Sequence, residues 1–209
     1  MVSLMEAADR VDSTAGLQMA FLKQWAARSY QALELRMPSV LPRVPSGRCE
    51  AHQMDALDAA QRLDAEVAYL DPPYNQHSYL GNYHIWESLV RWDKPEVYGI
   101  ACKRVDVRER RSPFNSRRGF RPAMEAVLRS IRSPLTVVSF SNEGCMERRE
   151  FEKMLGEMHG GGTRVETLEI DYKRYVGAQI GIHYREGKKV GKVSHLRNKE
   201  YLFIVSKTE

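Results

Sequence analysis

A chain of 209 residues, 43% of them hydrophobic, suffices for one domain, or one domain with a small lobe, around a buried core. No apolar run approaches the ~18 residues of a membrane span, and Glu6, Asp9, Arg10 and Asp12 exclude a signal-peptide core, so a cytoplasmic protein without membrane partners is expected. The net charge of +5 conceals a segregation: residues 94–134 carry eleven Lys/Arg against four acids, and residues 172–199 carry eight against Glu186 alone. A polyanion-binding face requires positive charge concentrated in this way, although solvated loops also carry such runs. Cys49, Cys102 and Cys145 are too dispersed for a disulfide framework or a zinc pattern, and the six histidines show no ligand spacing, so no metal is expected.

Taken in chain order, residues 2–35 are predicted helical, with Leu17, Ala20, Phe21, Gln24, Trp25 and Arg28 on one face and Ser13 or Thr14 capping a second helix. Pro38, Pro42 and Pro45 make residues 37–47 an extended connector. A short strand is expected over 48–53, a helix over 55–62 and a buried strand over 66–70. A helix over 84–92 would place Ile85, Leu89 and Trp92 together, and residues 94–118 read as a basic loop. Met124, Val127, Leu128 and Ile131 stripe a helix over 121–132. Strands follow at 135–140, 165–170 and 201–205, with a helix at 148–158 stopped by Gly160, Gly161 and Gly162, and a hairpin within 180–193. Alternating strands and helices imply an α/β fold with a largely parallel sheet and an antiparallel edge pair at the C-terminus.

Asp71-Pro72-Pro73-Tyr74 lies just beyond the strand at 66–70. Strand carboxyl ends are where open α/β sheets bind ligands. A tetrapeptide of this composition is expected by chance in about one chain in a thousand of this length. An ordinary strand-to-loop turn would use the same residue types.

Tyr69-Leu70-Asp71-Pro72-Pro73-Tyr74-Asn75 resembles the catalytic motif of S-adenosylmethionine-dependent amino-methyltransferases. With Asp first and Tyr last, it most resembles the D12 class of adenine-N6 DNA methyltransferases, the family of the Dam enzymes. Ser139-Phe140-Ser141-Asn142 resembles that family's next core strand, and Asp171-Tyr172-Lys173-Arg174-Tyr175-Val176-Gly177 its closing hairpin region. The likeness covers about residues 48–209.

The resemblance implies a Rossmann-like catalytic core over 47–209 and a helical segment, the end of a target-recognition region, over 1–46. It implies S-adenosylmethionine as cofactor, double-stranded DNA as substrate and a place in restriction-modification. Asp71 and the Pro72 carbonyl would accept the two hydrogens of the target amine, Pro73 would stiffen the turn, and Tyr74 would stack on a flipped base. Asp55 and Asp71 would meet the cofactor, though Asp55 also reads as a plain helix N-cap. Lys103, Arg104, Arg108, Arg110, Arg111, Arg117 and Arg118, with Lys173, Arg174, Lys188, Lys189 and Lys192, would meet phosphates. Tyr79, Asn82 and Tyr83 are candidates for the base pocket or for core packing.

One family element is missing. No Phe-x-Gly-x-Gly loop precedes Asp71, so the first strands of the sheet are expected to be absent and the cofactor site incomplete. A complementing N-terminal chain or a second copy would then cover the exposed sheet edge. Cytosine N4, adenine in RNA, or an inactive DNA-binding remnant are the alternatives the tetrapeptide leaves open.

Overall fold

The computed structural model describes residues 1–14, 16–18, 20–43, 47–173 and 197–207. In chain order it contains α1 (Val2–Val11), α2 (Ala56–Arg62), β1 (Val67–Leu70), α3 (Tyr79–Asn82), α4 (His84–Arg91), β2 (Val97–Tyr98), β3 (Lys103–Arg104), α5 (Arg117–Ser130), β4 (Leu135–Ser141), α6 (Arg148–Gly156), β5 (Thr163–Lys173) and β6 (Arg197–Lys207). These fall into two compact units, one of Met1–Gln53 with Tyr79–Arg110, the other of Met54–Ser78 with Arg111–Glu209. The hairpin expected within 180–193 lies outside the described residues, as do Arg174, Lys188, Lys189 and Lys192.

The second unit is a mixed α/β sheet in the order β1-β4-β6-β5. β1 runs parallel to β4, with Leu70 opposite Val138, whereas β6 is antiparallel to both β4 and β5. The antiparallel C-terminal pair is therefore present, but the last strand is not the edge: β6 lies inside the sheet and β5 takes the edge. The alternation of β6 explains its interior place. Tyr201, Phe203 and Val205 are buried beneath the helices, and both sides of its backbone are paired.

The covered face holds an aromatic stack. The Phe140 and Phe151 rings lie 4.6 Å apart at 21°, and Phe151 and Phe203 5.1 Å apart at 26°. α5 adds Phe120, Met124, Val127 and Leu128, and α6 adds Phe151, Met154 and Leu155, the stripes expected of amphipathic helices on a sheet. On the opposite face Val67, Tyr69, Leu168 and Ile170 remain 48–61% exposed. α5 starts at Arg117 rather than 121 because Ser116 caps it, its Oγ accepting the Gly119 N–H. Pro122 thus sits inside the helix rather than in its first turn.

The first unit departs more from expectation. The second helix expected within residues 2–35, after Ser13 or Thr14, is absent among the described residues, where a 3₁₀ turn forms at Ala27–Tyr30. Side chains hold a loop instead. Ser13 Oγ accepts the Ala26 N–H and donates to the Gln24 carbonyl, and the Arg28 guanidinium grips Asp12 and the carbonyl of Thr14. Such local bonds compete with helix formation, and the presumed apolar face finds nothing to bury against: Trp25 is 74% exposed. Residues 48–53 form no strand, being exposed and outside any β-ladder among the described residues. Trp92 terminates α4 in the left-handed region (φ 51°) and points to solvent rather than joining Ile85 and Leu89. The basic loop contains the β2–β3 hairpin, tied by Arg104. This side chain is buried, with two bonds to Asp93 (2.6 and 2.9 Å) and two to Asp106.

Candidate active site

β1 delivers Asp71-Pro72-Pro73-Tyr74 to the carboxyl end of the sheet. Asp71 is exposed, and among the described residues no hydrogen bond or ion pair engages its carboxylate. Pro72, Pro73 and Tyr74 are half-buried. The Tyr74 carbonyl accepts the Cys145 N–H at 2.8 Å, and its ring meets the buried Phe140 edge-on at 6.4 Å. This turn is consequently anchored to the loop that follows β4. Burial pushes the Cys145 thiol above its ordinary pKa, so it stays protonated at neutral pH beside the turn.

The chain beyond Tyr74 is held by a residue that sequence reasoning missed. Asn115 Nδ2 donates to the carbonyls of Asn75 (2.8 Å) and His77 (3.1 Å), forty and thirty-eight residues away. Asn75 Oδ1 in turn accepts the His77 N–H at 2.9 Å, a local Asx turn. The signal available in the sequence was Ser112-Pro113 followed by Ser116, a proline turn flanked by two capping serines, inside the stretch read as loop.

Against the tetrapeptide lies a cavity of about 200 Å³. Leu70, Phe114, Met124 and Val127 supply apolar walls, Ala56 closes one side, and Asp71 lies in the lining with Pro72 and Pro73. Asp55, one residue before Ala56, caps α2: its Oδ1 accepts the Leu57 N–H at 2.8 Å. Its cap function is thus present, and it stands next to the cavity wall.

The basic residues separate on folding. Arg104, itself buried, is committed to the partly exposed carboxylates of Asp93 and Asp106, at odds with the phosphate contact expected of it. Arg108 lies over the Tyr98 ring at 3.8 Å, Arg110 pairs with Glu87 at 2.9 Å, and Lys103 is half-buried in β3. These four belong to the first unit. In the second, Arg111, Arg117 and Arg118 are exposed around the start of α5, and Lys173 is exposed at the end of β5. Arg117 acts electrostatically on the Cys145 thiol, lowering its pKa against the larger effect of burial.

Within the first unit Tyr79 and Tyr83 stack at 6.2 Å and remain exposed, with Asn82 half-buried between them in sequence. His84 is buried, its Nε2 bonded to the Ala101 carbonyl, a structural rather than acid–base setting. Among the described residues no group of three His, Cys, Asp or Glu side chains could hold a metal, and no helix is long and apolar enough to cross a membrane.

The chain is 31% identical over 178 residues to the modification methylase StsI of Streptococcus sanguinis, covering 85% of this chain and 27% of that protein. It is 26% identical to the type II methyltransferase M.FokI of Planomicrobium okeanokoites (98% of this chain, 29% of that one). It is 28% identical to M.NlaIII of Neisseria lactamica over its whole length, which is 57% of that enzyme. The chain therefore spans well under two thirds of these relatives. No solved structure matches it. The model of the D12 class N6 adenine-specific DNA methyltransferases matches residues 1–150, which takes in the N-terminal segment as well as the tetrapeptide. The chain belongs to the D12 class N6 adenine-specific DNA methyltransferase family.

Proposed function

We propose that this chain is the catalytic half of an adenine-N6 DNA methyltransferase that transfers a methyl group from S-adenosylmethionine to the exocyclic amine of adenine in duplex DNA. The observation that carries the reading is an exposed, uncommitted Asp71 at a strand carboxyl end, on a turn anchored through Tyr74 and facing an apolar cavity. In the proposed reaction Asp71 accepts one hydrogen of the adenine amine and the Pro72 carbonyl accepts the other. Those bonds draw the nitrogen lone pair out of conjugation, and the fixed φ of Pro72 and Pro73 keeps the acceptors in place. As the nitrogen gains its new bond to carbon, positive charge develops beside the Asp71 carboxylate, which stabilises it and stands ready for the released proton. Tyr74 offers an aromatic face that offsets the cost of flipping the base from the duplex.

Bound S-adenosylmethionine supplies the electrophilic methyl group. The cavity fits part of that molecule. At about 200 Å³ it suits a flat adenine ring between Leu70, Phe114, Met124 and Val127, with Asp71 and the neighbouring Asp55 as polar partners. Complete ligand sites usually exceed ~300 Å³. No loop suited to the methionine end lines the cavity among the described residues. We therefore read the sheet as a partial Rossmann-like core over residues 47–209, with residues 1–46 as the end of the recognition region. The rest of the cofactor site comes from further polypeptide, either a complementing N-terminal chain or a second copy. Two features support this: β1 is a sheet edge, and Val67, Tyr69, Leu168 and Ile170 form an uncovered apolar face.

The test is calorimetric binding of S-adenosylmethionine, followed by methyl transfer to adenine-containing duplex DNA, with Asp71→Ala as control. Asp71→Ala is expected to lower transfer by about 10²–10³-fold. Transfer unaffected by that substitution would sink the proposed site. Cofactor binding without transfer would favour either the DNA-binding remnant or a split enzyme that needs its complementing chain.

A further inference from the structure

We propose that Asn115 is a positioning residue for methyl transfer: its side-chain amide holds the far side of the catalytic turn and so sets where Tyr74 stands relative to Asp71. The inference rests on the reading of that turn as catalytic.

The near side of the turn is secured by main chain. Leu70 belongs to the β1–β4 ladder, and the Tyr74 carbonyl is bound by the Cys145 N–H. No ladder reaches Asn75, Gln76 or His77, and the carbonyls of Asn75 and His77 both bond to Asn115 Nδ2. The amide can work in one orientation only. Reversed, its oxygen would face two carbonyl acceptors with no hydrogen between them. Two carbonyls on alternate residues gripped by one NH₂ group fix the local backbone direction, which a single bond would not.

Asn115 is itself rigidly mounted. It ends a 3₁₀ turn, Pro113–Asn115, whose first free N–H, that of Phe114, bonds to Ser112 Oγ. The Phe114 ring meets Phe120 edge-on at 5.9 Å and so ties the turn to the buried core. The turn packs against the start of α5 where Gly119 leaves room: a Cβ there would stand 2.8 Å from the Pro113 carbonyl oxygen. Phe114 also walls the cavity, so one short segment shapes the cavity and holds the turn beside it. Displacing a reacting group by about 1 Å costs roughly 10²-fold in rate, which is the leverage such a clamp has.

Two substitutions separate a donor from a space-filler. Asn115→Asp keeps shape and removes the NH₂ group; Asn115→Ala removes both. Each is compared with wild type by circular dichroism, by hydrogen exchange of the 74–78 amides, and by steady-state methyl transfer. Both variants should keep wild-type circular dichroism and raise exchange across 74–78 by about tenfold or more, reflecting local opening. Both should lower kcat by about 10–100-fold with KM for S-adenosylmethionine changed less than about threefold, and Asp should be at least as damaging as Ala. Unchanged exchange in both variants overturns the clamp. Faster exchange with unchanged kcat, or Asp behaving as wild type, overturns the positioning role. If wild-type chain transfers no methyl group either alone or together with a complementing N-terminal chain, the functional reading and with it the role in transfer fall, while exchange alone still decides whether Asn115 holds the turn.

Discussion

Identical residue types acquire opposite roles from their surroundings in this chain. Asp71 and Asp93 are both carboxylates beyond the end of a regular element. Asp71 is left open to solvent, whereas Asp93 is bound by the Arg104 guanidinium, whose hydrogen bonds hold its carboxyl below the usual range. The tetrapeptide announced itself in the sequence because its rigidity and chemistry are local. Asn115 did not, because its partners are about forty residues away. Asp55 lies between these cases, with the N-cap already observed and cofactor contact proposed. Asp55→Ser separates the roles. Serine caps a helix about as well, so stability should change by less than about 0.5 kcal/mol in chemical denaturation. The shorter side chain should weaken S-adenosylmethionine binding by about 10–150-fold, corresponding to the roughly 1.5–3 kcal/mol typical of a charged hydrogen bond. Unchanged affinity in calorimetry would reduce Asp55 to a cap.

Among the elements, those with a periodic apolar stripe and a strand-length apolar run were legible: α5, α6 and β4 fall within a few residues of expectation because each buries the stripe that identified it. The missing N-terminal helix shows the converse. Its stripe had no surface to cover, and Ser13 and Arg28 bonded to the backbone instead. The β2–β3 hairpin is too short for a pattern and depends on Arg104. Arg104 lowers the pKa of both Asp93 and Asp106 by hydrogen bonding, and it is itself raised by them. Groups whose folded pKa is depressed contribute stability above the unfolded value, about 3.9, and lose it as pH falls through the folded value. Wild-type protein should therefore lose stability below about pH 4. Arg104→Met should cost about 2 kcal/mol at pH 7 and narrow its deficit against wild type as pH falls through that window, measured by denaturant titration across pH. A deficit independent of pH would mean that the cluster acts through packing alone.

For the whole molecule, charge segregation pointed to a polyanion, but folding redistributes the charge. Arg104, Arg108 and Arg110 are engaged within the first unit, while Arg117 and Arg118 make no ion pair with a described residue. Binding to duplex DNA followed by fluorescence anisotropy should weaken steeply with salt, each phosphate contact adding about 0.9 to the log–log slope. Replacing Arg117 and Arg118 together by Ala should lower that slope by about 1–2, whereas Arg110→Ala should leave it nearly unchanged. A flat salt dependence in wild type would remove the electrostatic interface. By itself the sequence determined the family, the position of the Asp71-Pro72-Pro73-Tyr74 turn at a strand end, the amphipathic helices and the two basic segments, since each is written in residue type and short-range spacing. Only the tertiary structure decided that β6 lies between β4 and β5, that Arg104 turns inward, and that Asn115 grips the carbonyls of Asn75 and His77. Those outcomes depend on which distant groups can pair when backbone and charge are removed from water, and no local pattern encodes that choice.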